Sequence, residues 1–159
     1  MNEKKQDRLF SEEEMAAAVG PAPEPATNVG QNPVWTDNKA RFIMLYLKYF
    51  VFITKHGTYI DGFAGPQAEC ETESWAAKLV LESKPRWLRK FHLCDQKRTQ
   101  VDLLKALKAA QPHQDDAGKP INRTIEMYPG DFNSKVDQIL AAAGITEKEA
   151  TFALLDPIA

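Results

Sequence analysis

Four aspartates stand at the ends of short apolar runs in this chain: Asp61 closes TYID, Asp95 closes FHLCD, Asp131 follows TIEMYPG and Asp156 follows TFALL. An ionised carboxylate only accepts hydrogen bonds, so each of these positions selects ligands that present hydroxyls, amines or cations. Asp95 suits the two vicinal hydroxyls of a ribose, and Asp131 suits an exocyclic amine such as that of adenine. Asp61 opens the turn Asp61-Gly62-Phe63-Ala64-Gly65-Pro66. There Gly62 and Gly65 let the backbone bend sharply and approach a ligand closely. An acid in that turn matches a ligand with a cationic amino group. Phe63 and Phe132 offer apolar walls, because small-molecule sites are mostly apolar with a few placed polar groups.

Each residue also has a plainer reading. A Gly-x-x-Gly turn after a strand arises from turn chemistry alone. Asp131, just before Asn133-Ser134, is a good helix N-cap. Asp156-Pro157 is also a way to end a strand. The recurrence of an acid at four successive strand ends, one of them inside a glycine turn, favours a shared site over four unrelated caps.

Such a site needs elements that bring the four ends together, and the chain alternates accordingly. The predicted order is strand Thr58–Asp61, helix 74–83, strand 91–95, helix 98–110, strand 124–128, helix 134–143 and strand 151–156. A further helix precedes them. Thr36 or Asp37 is its expected cap, Phe42, Leu45, Tyr46, Tyr49 and Phe50 form its apolar face, and His56-Gly57 is its expected stop. The strands are continuous apolar runs, as expected of strands covered on both faces. Right-handed βαβ crossovers then give an α/β fold with a doubly wound, mostly parallel sheet, whose ligands bind at the carboxyl ends of the strands.

Residues 1–33 read as an N-terminal extension: a capping box, Ser11 with Glu14, opens one short helix, and GPAPEPATNVGQNP is a Pro-rich linker. The folded unit is expected over residues 34–159, which is room for one domain. A net charge of −2 gives no overall pull toward nucleic acid or anionic membrane, so any polyanion contact must be local. The segment KPRWLRK is the one local candidate, since cations around a tryptophan pair with phosphates and stack on bases; the reading it favours is the plainer one, a helix end followed by a solvated strand entry. The apolar stretch from Phe42 to Ile53 is too short for a membrane span. Two cysteines, Cys70 and Cys94, without CxxC spacing, and the polar opening MNEKKQDRLF predict a cytoplasmic protein with free thiols. His56, His92 and His113 lack metal-ligand spacing, and His92 is expected to be a satisfied strand residue.

A nicotinamide-dependent oxidoreductase would place G-x-G-x-x-G after the first strand and an acid about 20 residues on. Here the glycine spacing differs, and an acid stands where a pyrophosphate would need backbone amides. The turn instead resembles the D-x-F-A-G-x-G first motif of class I S-adenosylmethionine-dependent methyltransferases. Trp35-Thr36 with Lys39, then YIDGFAGP, GDFN and FALLDP, resembles the three-Cys-motif partner protein family, a bacterial group with a methyltransferase-like fold. That resemblance covers residues 34 to 159. It implies a Rossmann-like methyltransferase sheet and S-adenosylmethionine as cofactor. It also implies cofactor-binding roles for Asp61, Gly62, Phe63, Ala64, Gly65, Asp95, Asp131 and Phe132, with Asp156-Pro157 beside an unidentified methyl acceptor.

A separate three-Cys-motif protein is the implied partner. Gln67 stands where the pattern usually has its last glycine, and Ile158 where it has an aromatic. With about four strands of a seven-stranded sheet, the domain is expected to be incomplete. A non-catalytic interaction module acting with the partner is therefore the alternative to an active methyltransferase.

Overall fold

A computed structural model describes residues 34–66, 75–115 and 117–155, with side chains in the first helix from Lys39 onward. The expected capping box at Ser11, the linker, the side chains of Trp35, Thr36 and Asp37, and Gln67, Cys70, Asp156, Pro157 and Ile158 lie outside the described residues.

The elements follow in the order α1 (Val34–Thr54), β1 (Thr58–Asp61), α2 (Ala76–Glu82), β2 (Lys90–Asp95), α3 (Arg98–Ala109), β3 (Thr124–Pro129), α4 (Phe132–Ala143) and β4 (Thr151–Leu154). The four strands form one sheet in the order β3-β2-β1-β4. All its pairings are parallel, with Asp61 level with Leu93 on one side and Leu154 on the other, and Asp95 level with Pro129. The chain is thus α/β with helices on both faces of a parallel sheet, which places the three described strand-end acids at one edge of the molecule.

Alternate residues of each strand supply the two faces. Tyr59, Phe91, Leu93 and Ile125 pack with Leu47 and Val51 of α1, Val80 and Leu81 of α2, and Leu104 and Leu107 of α3. On the other face Ile60, Cys94 and Tyr128 meet Ile139 and Ala143 of α4. The outer strand β4 is tied in by Phe152, whose ring stacks on Tyr59 at 5.9 Å and 6° and meets Tyr46 at 5.4 Å and Phe50 at 6.5 Å. His92 is buried and its Nδ1 lies 2.9 Å from the Tyr128 hydroxyl, while Nε2 has no partner among the described residues. Burial pushes its pKa below the ordinary value, so the neutral ring is the form this core favours.

The starts of α1 and α4 differ from expectation. α1 begins at Val34, ahead of both candidate caps, and ends at Thr54, just before the expected stop at His56-Gly57. Lys55 takes the left-handed position with φ 63°, its amide bonded to the Val51 carbonyl at 2.8 Å, where a glycine is usual. A side chain in that conformation costs roughly 1 kcal/mol. Gly57 answers a different need: a Cβ there would lie 2.6 Å from Phe50 Cε1 and 3.0 Å from the Ala150 carbonyl oxygen. α4 starts two residues before the predicted Ser134 because Asp131 is its N-cap, and Gly144 ends it at φ 57°.

Among the described residues no helix is long and apolar enough to cross a membrane. Phe91 is fully buried at the centre of the larger core, so Phe91→Ala is expected to lower stability by about 3–5 kcal/mol. Urea unfolding will show this as a shifted midpoint with an unchanged slope.

Candidate functional site

The carboxyl edge of the sheet is organised by backbone groups that reach across strand ends. After Asp61 the chain turns so that the Gly62 amide donates to the Leu154 carbonyl at 3.0 Å and the Ala64 amide to the Cys94 carbonyl at 2.8 Å. The Asp61 to Pro66 turn therefore lies over the end of its own strand, pinned to β4 on one side and β2 on the other. Pro66 is held from α3, where Gln100 Nε2 donates to its carbonyl at 2.6 Å, and Ala64 by the Trp75 indole N–H.

Asp61 is 2% exposed. Its Oδ2 accepts from the Tyr59 hydroxyl at 2.8 Å and its Oδ1 from the Phe63 amide at 3.0 Å. Burial raises its pKa from 3.8 to about 6; the two hydrogen bonds pull it down in part, and the charge of Asp95 adds to the rise. Burial and the neighbouring carboxylate hold the Tyr59 phenol well above its ordinary value, so it stays a donor.

Asp95 is the junction between loops. Its Oδ2 accepts the Gly65 amide at 2.8 Å and its Oδ1 the Lys97 amide at 2.8 Å, at the entry to α3. Its own carbonyl takes the Gly130 amide at 2.9 Å, which ties in the end of β3.

Space, not positive φ, favours both turn glycines, and Gly65 the more strongly. A Cβ at Gly65 would lie 2.5 Å from Gln100 Cβ and 2.6 Å from Asp95 Oδ2, and one at Gly62 would lie 3.0 Å from the Phe132 ring. Phe132 meets Phe63 with ring centroids 6.2 Å apart at 42°, so the two expected wall residues form one apolar pair.

Asp131 lies on the exposed rim. Its carboxylate accepts the Ser134 amide at 3.1 Å and its carbonyl accepts the Ser134 hydroxyl at 2.7 Å, which makes it the cap of α4. The three acids nevertheless share one field. The Cys94 thiol is pushed up to about 11, first by burial and then by Asp95 and Asp131, with a smaller contribution from Asp61; Lys135 opposes them.

The structure thus brings together Asp61, Gly62, Phe63, Ala64, Gly65, Asp95, Asp131 and Phe132. Three supports went unread in the sequence: Tyr59 as the donor to Asp61, Trp75 on Ala64, and Gln100 on Pro66. Tyr59 was legible in principle, since residues two apart on a strand face the same side. Trp75 and Gln100 meet the turn only through tertiary packing. Among the described residues no group of His, Cys, Asp and Glu could hold a metal ion.

Set against models of known protein families, curated proteins and solved structures, the chain finds no significant match.

Two outcomes follow. Gly65→Ala forces the turn off Gln100 and Asp95 and is expected to cost about 1–3 kcal/mol in thermal or urea unfolding. Asp61 holds its proton to a higher pH when folded than when unfolded, so stability falls as pH rises from about 4 to about 6 and stays at the lower level above. The full effect is about 3 kcal/mol for a rise of this size. Asp61→Asn should flatten that dependence and make the protein more stable than the parent at neutral pH, as urea midpoints across the pH range will show.

Proposed function

We propose that the chain is an S-adenosylmethionine-binding, methyltransferase-like protein of the three-Cys-motif partner type. The observation that carries this reading is Asp95 at the end of β2, with the Gly65 amide on one carboxylate oxygen and the Lys97 amide on the other. Each oxygen keeps a further acceptor site, and two acceptor sites on one fixed carboxylate suit the adjacent hydroxyls of a ribose. Further support comes from the parallel order β3-β2-β1-β4, the acid Asp61 beneath the glycine turn, and the Phe63–Phe132 pair at the rim.

The charge of these residues supports the cofactor reading. Three carboxylates and no lysine or arginine stand among the assigned residues, so they favour a ligand carrying an amino group and a sulfonium over a pyrophosphate. When bound, S-adenosylmethionine supplies an activated methyl on a good leaving group. The protein's part is then to bind, orient and exclude water. Asp95 holds the ribose, Asp131 at the rim accepts from the adenine amine, and Asp61 stabilises the amino group once ionised. Phe63 and Phe132 cover the apolar part of the ligand. By the resemblance, Asp156 and Pro157 would serve the methyl acceptor.

Calorimetric titration with S-adenosylmethionine tests the reading. Binding is expected at neutral pH, weakening as pH falls through about 6, where Asp61 takes up its proton. Asp95→Ala should weaken it about tenfold or more, through loss of hydrogen bonds to a charged acceptor. Asp131→Ala should weaken it less and cost about 1 kcal/mol of stability as a lost cap. No heat from demonstrably folded protein at millimolar ligand refutes the cofactor assignment. Binding that survives both substitutions refutes the site and favours a non-catalytic module working through a partner protein.

A further inference from the structure

At the amino end of the sheet, opposite the acids, a cavity of about 720 Å3 opens between the end of α1, the turn before β2 and the loop before β3. Among the described residues its lining holds five lysines and arginines against one carboxylate, in a chain whose net charge is −2. That carboxylate, Asp115, is engaged by its own loop: Oδ1 accepts the amides of Ala117 at 2.9 Å and Lys119 at 2.8 Å. Arg86 and Arg89 form no ion pair with the described residues, and Arg86 Nε is buried without an acceptor among them.

The cations sit on a fixed frame. Arg123, behind the turn, donates to the Leu81 carbonyl at 2.7 Å and the Leu88 carbonyl at 3.1 Å, which clamps both ends of the segment carrying Arg86 and Trp87. Trp87 is 36% exposed, with the Phe52 ring against it edge-on at 5.4 Å and 75°. The Lys55 ammonium lies 4.8 Å from the Trp87 ring, carried there by the left-handed backbone that the residue adopts at the end of α1. The left-handed position that ends α1 thus also leaves the Lys55 ammonium over the Trp87 ring.

We infer that this groove binds single-stranded nucleic acid, one base stacking on Trp87 and the adjacent phosphates pairing with Arg86, Arg89 and Lys55. A concave site with an exposed aromatic face among cations matches an unpaired base flanked by phosphates. A flat anionic membrane does not enter such a concavity, and an acidic peptide makes no use of the ring. The site is independent of the acids at the other end of the sheet, so it stands or falls without S-adenosylmethionine.

The test is fluorescence anisotropy of a labelled oligothymidylate of about 10 nucleotides with the full chain. Affinity is expected to fall with salt at a log–log slope of about −2 for three phosphate contacts. Trp87→Ala should weaken binding about tenfold, and Trp87→Phe should retain most of it. The Arg86→Gln, Arg89→Gln pair should reduce the slope by about 1.4. Lys55→Gly should weaken binding with no loss of thermal stability, because glycine suits the backbone there. Should Trp87→Ala fail to fold, the arginine pair and Lys55→Gly decide by the same readouts. Absence of binding at low salt, an unchanged affinity in folded Trp87→Ala, or equally tight binding of polyglutamate or anionic vesicles would each overturn the inference.

Discussion

The Asp95 carboxylate is the contact on which the carboxyl edge of this protein depends. A parallel sheet brings strand ends to one side but does nothing to hold the loops that leave them. Asp95 joins those loops: charge-assisted hydrogen bonds to its two carboxylate oxygens fix the glycine turn after β1 and the entry to α3, and its backbone carbonyl accepts an ordinary amide hydrogen bond from the exit of β3. Gly65 is a consequence of that arrangement, since a side chain there would fill the space that Asp95 and Gln100 occupy.

Asp61 works the other way. Its burial beneath the same turn opposes ionisation, and among the described residues the Tyr59 hydroxyl and the Phe63 amide support the charge. Asp61 thus costs stability at neutral pH even with two donors held against it. The pair Asp61 and Asp95 also divides labour: one is spent on architecture and retains spare acceptor sites, the other holds a charge that a cation could relieve.

Much of the architecture was legible because it rests on local pattern. Continuous apolar runs such as FHLC and TFALL marked strands covered on both faces, and β1 matches its predicted bounds, Thr58–Asp61. Helix ends were less legible. Thr36, Asp37 and Gly57 carry ordinary cap and stop signals, yet α1 runs from Val34 to Thr54, and Gly57 is explained by the Phe50 ring beside it. Within the site, the acids and glycines could be read from their positions after strands. Their supports could not, because Trp75 and Gln100 reach the turn from separate helical segments and nothing in their neighbouring residues marks the contact. Asp131 caps α4, and its charge is also felt at Cys94 in the core beneath that helix.

The sheet is also polar in its chemistry. At the carboxyl ends stand Asp61, Asp95 and Asp131; at the amino ends stand Arg86, Arg89 and Lys55 around Trp87. A net charge of −2 conceals this separation, because opposite clusters cancel in the sum while each keeps its own local field. Topology makes the separation available at no cost to the core: in a parallel sheet every strand starts at one edge and ends at the other, so loops before strands and loops after strands never share a surface. Clusters of opposite charge therefore occupy the two ends of one sheet without neutralising each other.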